Sequence, residues 1–362
     1  MKALGLDVGG ANLKSCLIEV KGEQLTVEVK SLYLPLWKVG KEKLEEELRR
    51  LSRGVRGIKL VGLTMTAELS DVYYCKREGV HHVIEAVEKA FKDPRIRVVG
   101  VKGSLLSPDE ARERFMEVAA ANWAATGWLA AKLLDTCVVV DVGSTTTSII
   151  PVVEGEVVAK GLNDLEKLAL GELVYTGALR TNVATVVDKV PLRGMMVRTS
   201  SELFATTGDV HLVLGHISEG DYSVDTADGR GRSREEALAR LARVVCADHE
   251  MLSEEEIIDV AKYVYRKQLN MVAEALLQVY GRLIKEYGIK PPAATAGLGA
   301  DFIAEPALRE VGIRKVHRFK DLVGPASRMV PALGAGLMAI DEEIRLDLRG
   351  LKVSCHSPRG SN

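Results

Sequence analysis

Asp7 ends an apolar run, Ala3-Leu4-Gly5-Leu6, and is followed by Val8-Gly9-Gly10-Ala11-Asn12-Leu13-Lys14. The same arrangement returns far along the chain as Val138-Val139-Val140-Asp141-Val142-Gly143-Ser144-Thr145-Thr146-Thr147-Ser148. In each copy an apolar strand delivers a carboxylate, a glycine turn follows, and a second apolar run begins. Such turns expose successive backbone N–H groups that cradle phosphate oxygens. Gly9, Gly10 and Gly143 leave room for the phosphate, while Asn12, Ser144, Thr145 and Thr146 add side-chain donors. Lys14 supplies a positive charge within reach. One such turn is equally an ordinary hairpin. Two, each opening a similar stretch of chain, point to one phosphate site shared between two halves. Asp7 and Asp141 suit a Mg²⁺ held partly through water.

Other side chains suggest a substrate side. Glu68 lies in Thr64-Met65-Thr66-Ala67-Glu68, just past a strand-like run, where active-site groups of α/β sheets gather. It is the leading candidate for a general base; a plain helix-start carboxylate is the alternative. Lys76 and Arg77 follow, either to meet an anionic substrate group or as surface charge. A dense polar set spans 200–248 and includes Ser201, Glu202, Asp209, Asp225 and Arg230 as candidate substrate contacts. Residues 225–230 read as a turn that could close over a ligand. Gly297 and Gly299 belong to a late glycine turn, Ala296-Gly297-Leu298-Gly299-Ala300-Asp301, placed to cover whatever the phosphates carry. His211 sits in an apolar run and reads as a core histidine rather than a metal ligand. Trp123 and Trp128, on an alanine-rich stretch, read as core.

These residues need a scaffold. The chain has 362 residues, enough for two domains, with 47% hydrophobic and 27% charged residues. Lys plus Arg number 49 against 50 Asp plus Glu, so no net charge draws the chain to nucleic acid or an anionic membrane. Five scattered cysteines without a CxxC pair give neither a disulfide framework nor a thiolate zinc site. The start at Met1 leads directly into a strand pattern, so a cytoplasmic protein is expected. Residues 24–34 and 156–162 each read as the third strand of a meander; helices and further strands then alternate, which implies an α/β sheet in each half. The expected division is 1–135 for the first domain and 136–350 for the second, with a mostly helical insertion over about 163–290. Residues 351–362 read as a loose tail. A helix near 328–344 carries Gly334 and Gly336 among alanines, a spacing that permits close approach to a neighbour.

The paired turns with the late glycine turn resemble the actin/hexokinase/Hsp70 superfamily of duplicated ribonuclease-H-like domains. Several strings narrow the resemblance: 33–37 (YLPLW), 61–69 (VGLTMTAEL), 76–80 (KREGV), 121–123 (ANW), 171–177 (GELVYTG), 200–204 (SSELF), 209–215 (DVHLVLG) and 243–248 (RVVCAD). Together they resemble the hydantoinase-A-like family linked to tetrahydromethanopterin C1 metabolism, over about residues 1–345. Ser148 and Ala67 depart from the family pattern, where Asp and Gly are usual. The resemblance implies an actin-like ATPase fold and a transferase of methanofuran biosynthesis. That enzyme would join the diphosphate of 5-(aminomethyl)-3-furanmethanol to the phenol of γ-glutamyltyramine and release diphosphate with the help of Mg²⁺. An ATP-dependent small-molecule kinase or a hydantoinase/oxoprolinase-like hydrolase is the alternative. Oligomeric state stays open.

Overall fold

A computed structural model describes residues 1–350 and 352–356. The first sheet opens as an antiparallel meander of β1 (Lys2–Val8), β2 (Asn12–Lys21) and β3 (Gln24–Tyr33). β2 and β3 alternate buried and more exposed positions over part of their length, as strands with one covered face do. β4 (Leu60–Met65) is buried throughout and joins β1 in parallel; β5 (Arg95–Val99) joins β4 in parallel. The crossovers are the amphipathic helices Glu42–Gly54 and Lys76–Ala90. The short β6 (Leu105–Leu106) closes that edge.

The second sheet repeats the opening. β7 (Cys137–Val142) pairs antiparallel with β8 (Thr147–Val153), and β9 (Glu156–Val157) pairs with the end of β8. Here the sequence expectation of a strand over 156–162 fails. After Val157 the chain leaves the sheet because the amides of Lys160 and Gly161 donate to the Glu172 carboxylate instead. β10 (Leu173–Val174) takes the place beside the start of β8. The insertion then runs through a separate hairpin, β11 (Lys189–Leu192) and β12 (Met195–Arg198), and several helices. Its longest helix, Glu254–Tyr287, starts in a Ser253/Glu256 capping box and ends at the left-handed Gly288. β13 (Ala293–Ala296) returns parallel to β7, and β14 (Val316–Arg318) follows parallel to β13.

The expected loose tail is corrected in part. β15 (Lys352–His356) pairs in parallel with β3, and Val353 and Cys355 pack on the core. The rest of that tail, 351 and 357–362, lies outside the described residues. Residues 108–134 form three helices, Pro108–Glu113, Phe115–Val118 and Asn122–Leu134, the last set off where Ala120 takes a positive φ of 50°.

Two helices tie the halves together. Asn122–Leu134, from the first half of the sequence, packs on β8 and β9. Val330–Ile344, from the second, packs on β1, β4 and β2. The two helices also meet each other. Small residues make this possible. A Cβ on Gly5 would lie 1.9 Å from the Ala332 carbonyl oxygen, and one on Gly62 would lie 1.9 Å from that of Ala335. The stretch Phe319–Ile344 is long and apolar enough by composition to cross a membrane, yet 83% of its most apolar window is buried within the fold.

Candidate active site

The two glycine turns have the same geometry. Gly9 N–H donates to the Asn12 carbonyl at 2.9 Å, and Gly143 N–H donates to the Thr146 carbonyl at 2.9 Å. In register, Asp7 stands opposite Lys14, and Asp141 stands opposite Ser148. Both turns line one cleft of about 580 Å³ between the sheets. The loop after β10 backs the second turn: Ala178 N–H donates to the Gly143 carbonyl, and Leu179 and Arg180 N–H donate to that of Ser144. Gly177 is required there, since a Cβ would fall 2.6 Å from the Thr145 nitrogen.

Asp7 is buried and Asp141 half-buried. Asp7 Oδ1 is buried with no hydrogen-bond partner, and Lys14 Nζ lies 3.6 Å from Oδ2. Burial raises the Asp7 carboxyl above its ordinary range, and Lys14 opposes that rise. Asp141 Oδ2 accepts from Thr126 Oγ1 at 3.3 Å, and burial raises its pKa to about 6. Gly297, at φ +84°, comes so close that a Cβ would lie 2.7 Å from Asp141 Oδ1. Among the described residues no three His, Cys, Asp or Glu side chains gather to enclose a metal. Two carboxylates, one with an orphan oxygen, fit a cation that completes its shell with water and phosphate oxygens, as Mg²⁺ commonly does.

The cleft gathers many of the expected residues and leaves others out. Asp7, Gly9, Gly10, Asn12, Lys14, Asp141, Gly143, Ser144, Thr145, Thr146, Asp225 and Gly297 all line it. Glu68 does not. It is buried in the short 3₁₀ turn Ala67–Leu69 beneath Gly79, with Lys76 Nζ 3.8 Å away, and neither carboxylate oxygen has a hydrogen-bond partner. Its pKa is raised to about 7 by burial, but the side chain sits behind the wall rather than on it. Lys76 is drawn to Asp164 at 3.2 Å, and Arg77 stacks 4.1 Å from the Phe115 ring centre. Asp209 is a fully buried partner of Arg240 at 2.8 Å and closes a capping box with Thr206. Ser201 and Glu202 are exposed and do not line the cleft, although the adjacent Leu203 does, and Arg230 borders a neighbouring groove. Gly299 serves packing instead, since a Cβ there would lie 2.4 Å from Val142 Cγ1. His211 bonds His216 and Gln268 in the core.

Several lining residues were not singled out from sequence. Arg180 donates to Thr145 Oγ1 at 3.1 Å and lies over the Trp37 ring at 4.4 Å, so it joins the second turn to the first half. Tyr33 and Lys38 both donate to Asp225 Oδ2, at 3.0 and 2.8 Å, across the same cleft. Trp123 is buried in the core as expected, and it also lines the cleft with Lys167. The strings 33–37, 121–123 and 171–177 carried the signal for this region, and as resemblance rather than chemistry.

The doubled strand-turn-strand opening, with a cleft between two ribonuclease-H-like sheets, defines the actin-like ATPase fold. The chain belongs to the hydantoinase/oxoprolinase family, whose model matches residues 59–338. It is 41% identical over 311 residues to a (4-{4-[2-(γ-L-glutamylamino)ethyl]phenoxymethyl}furan-2-yl)methanamine synthase of Methanocaldococcus jannaschii, covering 86% of this chain and 89% of that protein. A synthase of the same name from Methanococcus vannielii is 39% identical over 175 residues, covering 48% of this chain and 76% of that protein. A solved structure, the activator of 2-hydroxyisocaproyl-CoA dehydratase from Clostridium difficile with bound ADPNP, is 13% identical over 94% of this chain and 95% of its own, with a TM-score of 0.45.

Proposed function

We propose that this chain makes the aryl ether of methanofuran biosynthesis. In this reading the diphosphate of 5-(aminomethyl)-3-furanmethanol sits between the two glycine turns and γ-glutamyltyramine occupies the rest of the cleft. The observation that carries it is the pair of matching turns, each with a carboxylate at its strand end, facing one cleft in a chain 41% identical over 311 residues to a synthase whose product holds a phenoxymethyl-furan link.

The chemistry follows from the residues. Backbone N–H groups of both turns, Lys14 and the Thr145 hydroxyl would hold diphosphate oxygens. As the CH₂–O bond breaks, its electron pair moves onto the diphosphate, and donors fixed in advance stabilise that charge. The furan ring shares the positive charge on the departing carbon. The phenol oxygen then bonds that carbon, and its proton leaves. Asp7 and Asp141 would hold a Mg²⁺, which supplies charge neutralisation at the leaving group.

Product inhibition tests the reading. Inorganic diphosphate with Mg²⁺ should inhibit competitively against the furan diphosphate and raise the melting temperature by mass action. ATP should do both only weakly. Tight ATP binding with no effect of diphosphate would favour a kinase or ATP-driven hydrolase instead.

A further inference from the structure

Lys167 is a buried lysine on the cleft wall that the phosphate turns do not use. It lies in the helix Asp164–Ala169, whose N-terminus Asn163 caps through the Glu166 amide. Its stem presses on Gly161, where a Cβ would come within 2.5 Å of Lys167 Cγ. The side chain is 1% exposed, and Nζ has no hydrogen-bond partner. It sits 3.7 Å from the Trp123 ring centre and 3.8 Å from Glu172 Oε2. Glu172 is already committed, because its two oxygens accept from the Lys160 and Gly161 amides and from Arg282. Trp123 Nε1, on the same wall, is likewise buried without a partner.

We infer that Lys167 is the base that takes the phenol proton in the condensation. The inference rests on the aryl-ether reading. The Nζ lone pair takes the phenol proton as the phenol oxygen bonds the furanylmethyl carbon. The bond from that carbon to diphosphate breaks, and its electron pair leaves with diphosphate. The ammonium then gives the proton to solvent through the cleft. Glu68, the base suggested by sequence, lies off the cleft, whereas Lys167 lines it.

The surroundings support a neutral amine. Glu172 and Asp164 face Lys167 and favour its charged form; Arg282 and burial oppose it. Asp164 is itself paired with Lys76 at 3.2 Å, which divides its pull. Burial wins, and the ammonium pKa falls to about 8. A substantial share of the amine is then free at mildly alkaline pH, as a general base requires.

The test compares the wild-type enzyme with Lys167→Met and Lys167→Arg, whose folding is checked by thermal melting. Arg keeps length and charge but accepts no proton in this range. Wild-type kcat should rise with pH to a plateau with a midpoint near about 8. Both variants should lose about 10²- to 10⁴-fold in kcat, with little change in KM for the furan diphosphate. Much of that loss should return with a ring-fluorinated acceptor that is already ionised at neutral pH. A wild-type profile flat from pH 7 to 9 would overturn the assignment without any variant. So would folded variants with near-normal kcat, or a loss that the ionised acceptor does not restore. Ether formation that survives in these variants sinks the base assignment alone, whereas a wild-type enzyme that releases no diphosphate sinks the aryl-ether reading with it.

Discussion

Asp7 and Asp141 occupy equivalent positions at the ends of β1 and β7, but their neighbours differ. Lys14 stands beside Asp7, while the residue in register with Asp141 is Ser148. Burial nevertheless raises both carboxyls, and at Asp141 the rise is opposed by the Lys14 charge and the Thr126 hydroxyl. The folded Asp141 pKa of about 6 exceeds the unfolded value of 3.8, so the folded state holds the proton longer. Stability is then lost as pH rises from about 4 to about 6 and stays lower above that. Asp141→Asn should thus stabilise the free protein above pH 6, on the order of 2 kcal/mol, and change little below pH 4. Thermal melts of both proteins across that range check it. The same variant, and Asp7→Asn, should lose about 10²-fold or more in turnover, since charge stabilisation at a leaving group contributes several kcal/mol. Near-normal rates in both at saturating Mg²⁺ would remove them from the mechanism. At this scale the sequence was most readable where chemistry repeats. The Asp-x-Gly pattern marked both glycine turns that face the cleft, because a turn is a local property of its residues. Glu68 does not line the cleft because strand-end position is local but side-chain direction is set by the helix Lys76–Ala90 packed over it. Lys167 carried no signal at all: a lysine beside Leu168 and Glu166 looks like surface until Trp123 and Glu172 arrive from elsewhere.

Elements were read well when periodicity decided them and poorly when a distant side chain did. The meander β1 to β3 and the helices after it follow alternating or amphipathic patterns. β9 stops short because Glu172, beyond the next helix, captures the two amides that would have continued it. The helix Val330–Ile344 shows the opposite case. Its small residues announced a close approach, and the structure supplies the partners, Gly5 on β1 and Gly62 on β4. Since a new Cβ there meets backbone rather than a flexible side chain, Gly5→Ala or Gly62→Ala should cost about 3 kcal/mol or more by overpacking. Gly281 is the contrasting control. It lies exposed in the helix Glu254–Tyr287 with nothing near its missing Cβ, so Gly281→Ala should stabilise by about 1 kcal/mol. Urea unfolding of the three variants measures both signs. Equal effects at Gly5 and Gly281 would mean that the helix does not press on β1 as described.

At the scale of the whole molecule, two halves that repeat one another enclose one cleft. Crossed helices hold the halves from behind, and Tyr33, Lys38 and Trp37 reach across to Asp225 and Arg180 at the cleft. The duplication was legible because both copies kept the same turn. The crossing was not, because Asn122–Leu134 belongs to the first half in sequence and covers the second sheet in space. What this architecture does with a diphosphate is the central claim. The most direct measurement is a single incubation of purified enzyme with furan diphosphate, γ-glutamyltyramine and Mg²⁺ in the absence of ATP. The account predicts ether and inorganic diphosphate in equal amounts. Strict dependence on ATP, with ADP formed in place of diphosphate, would contradict it.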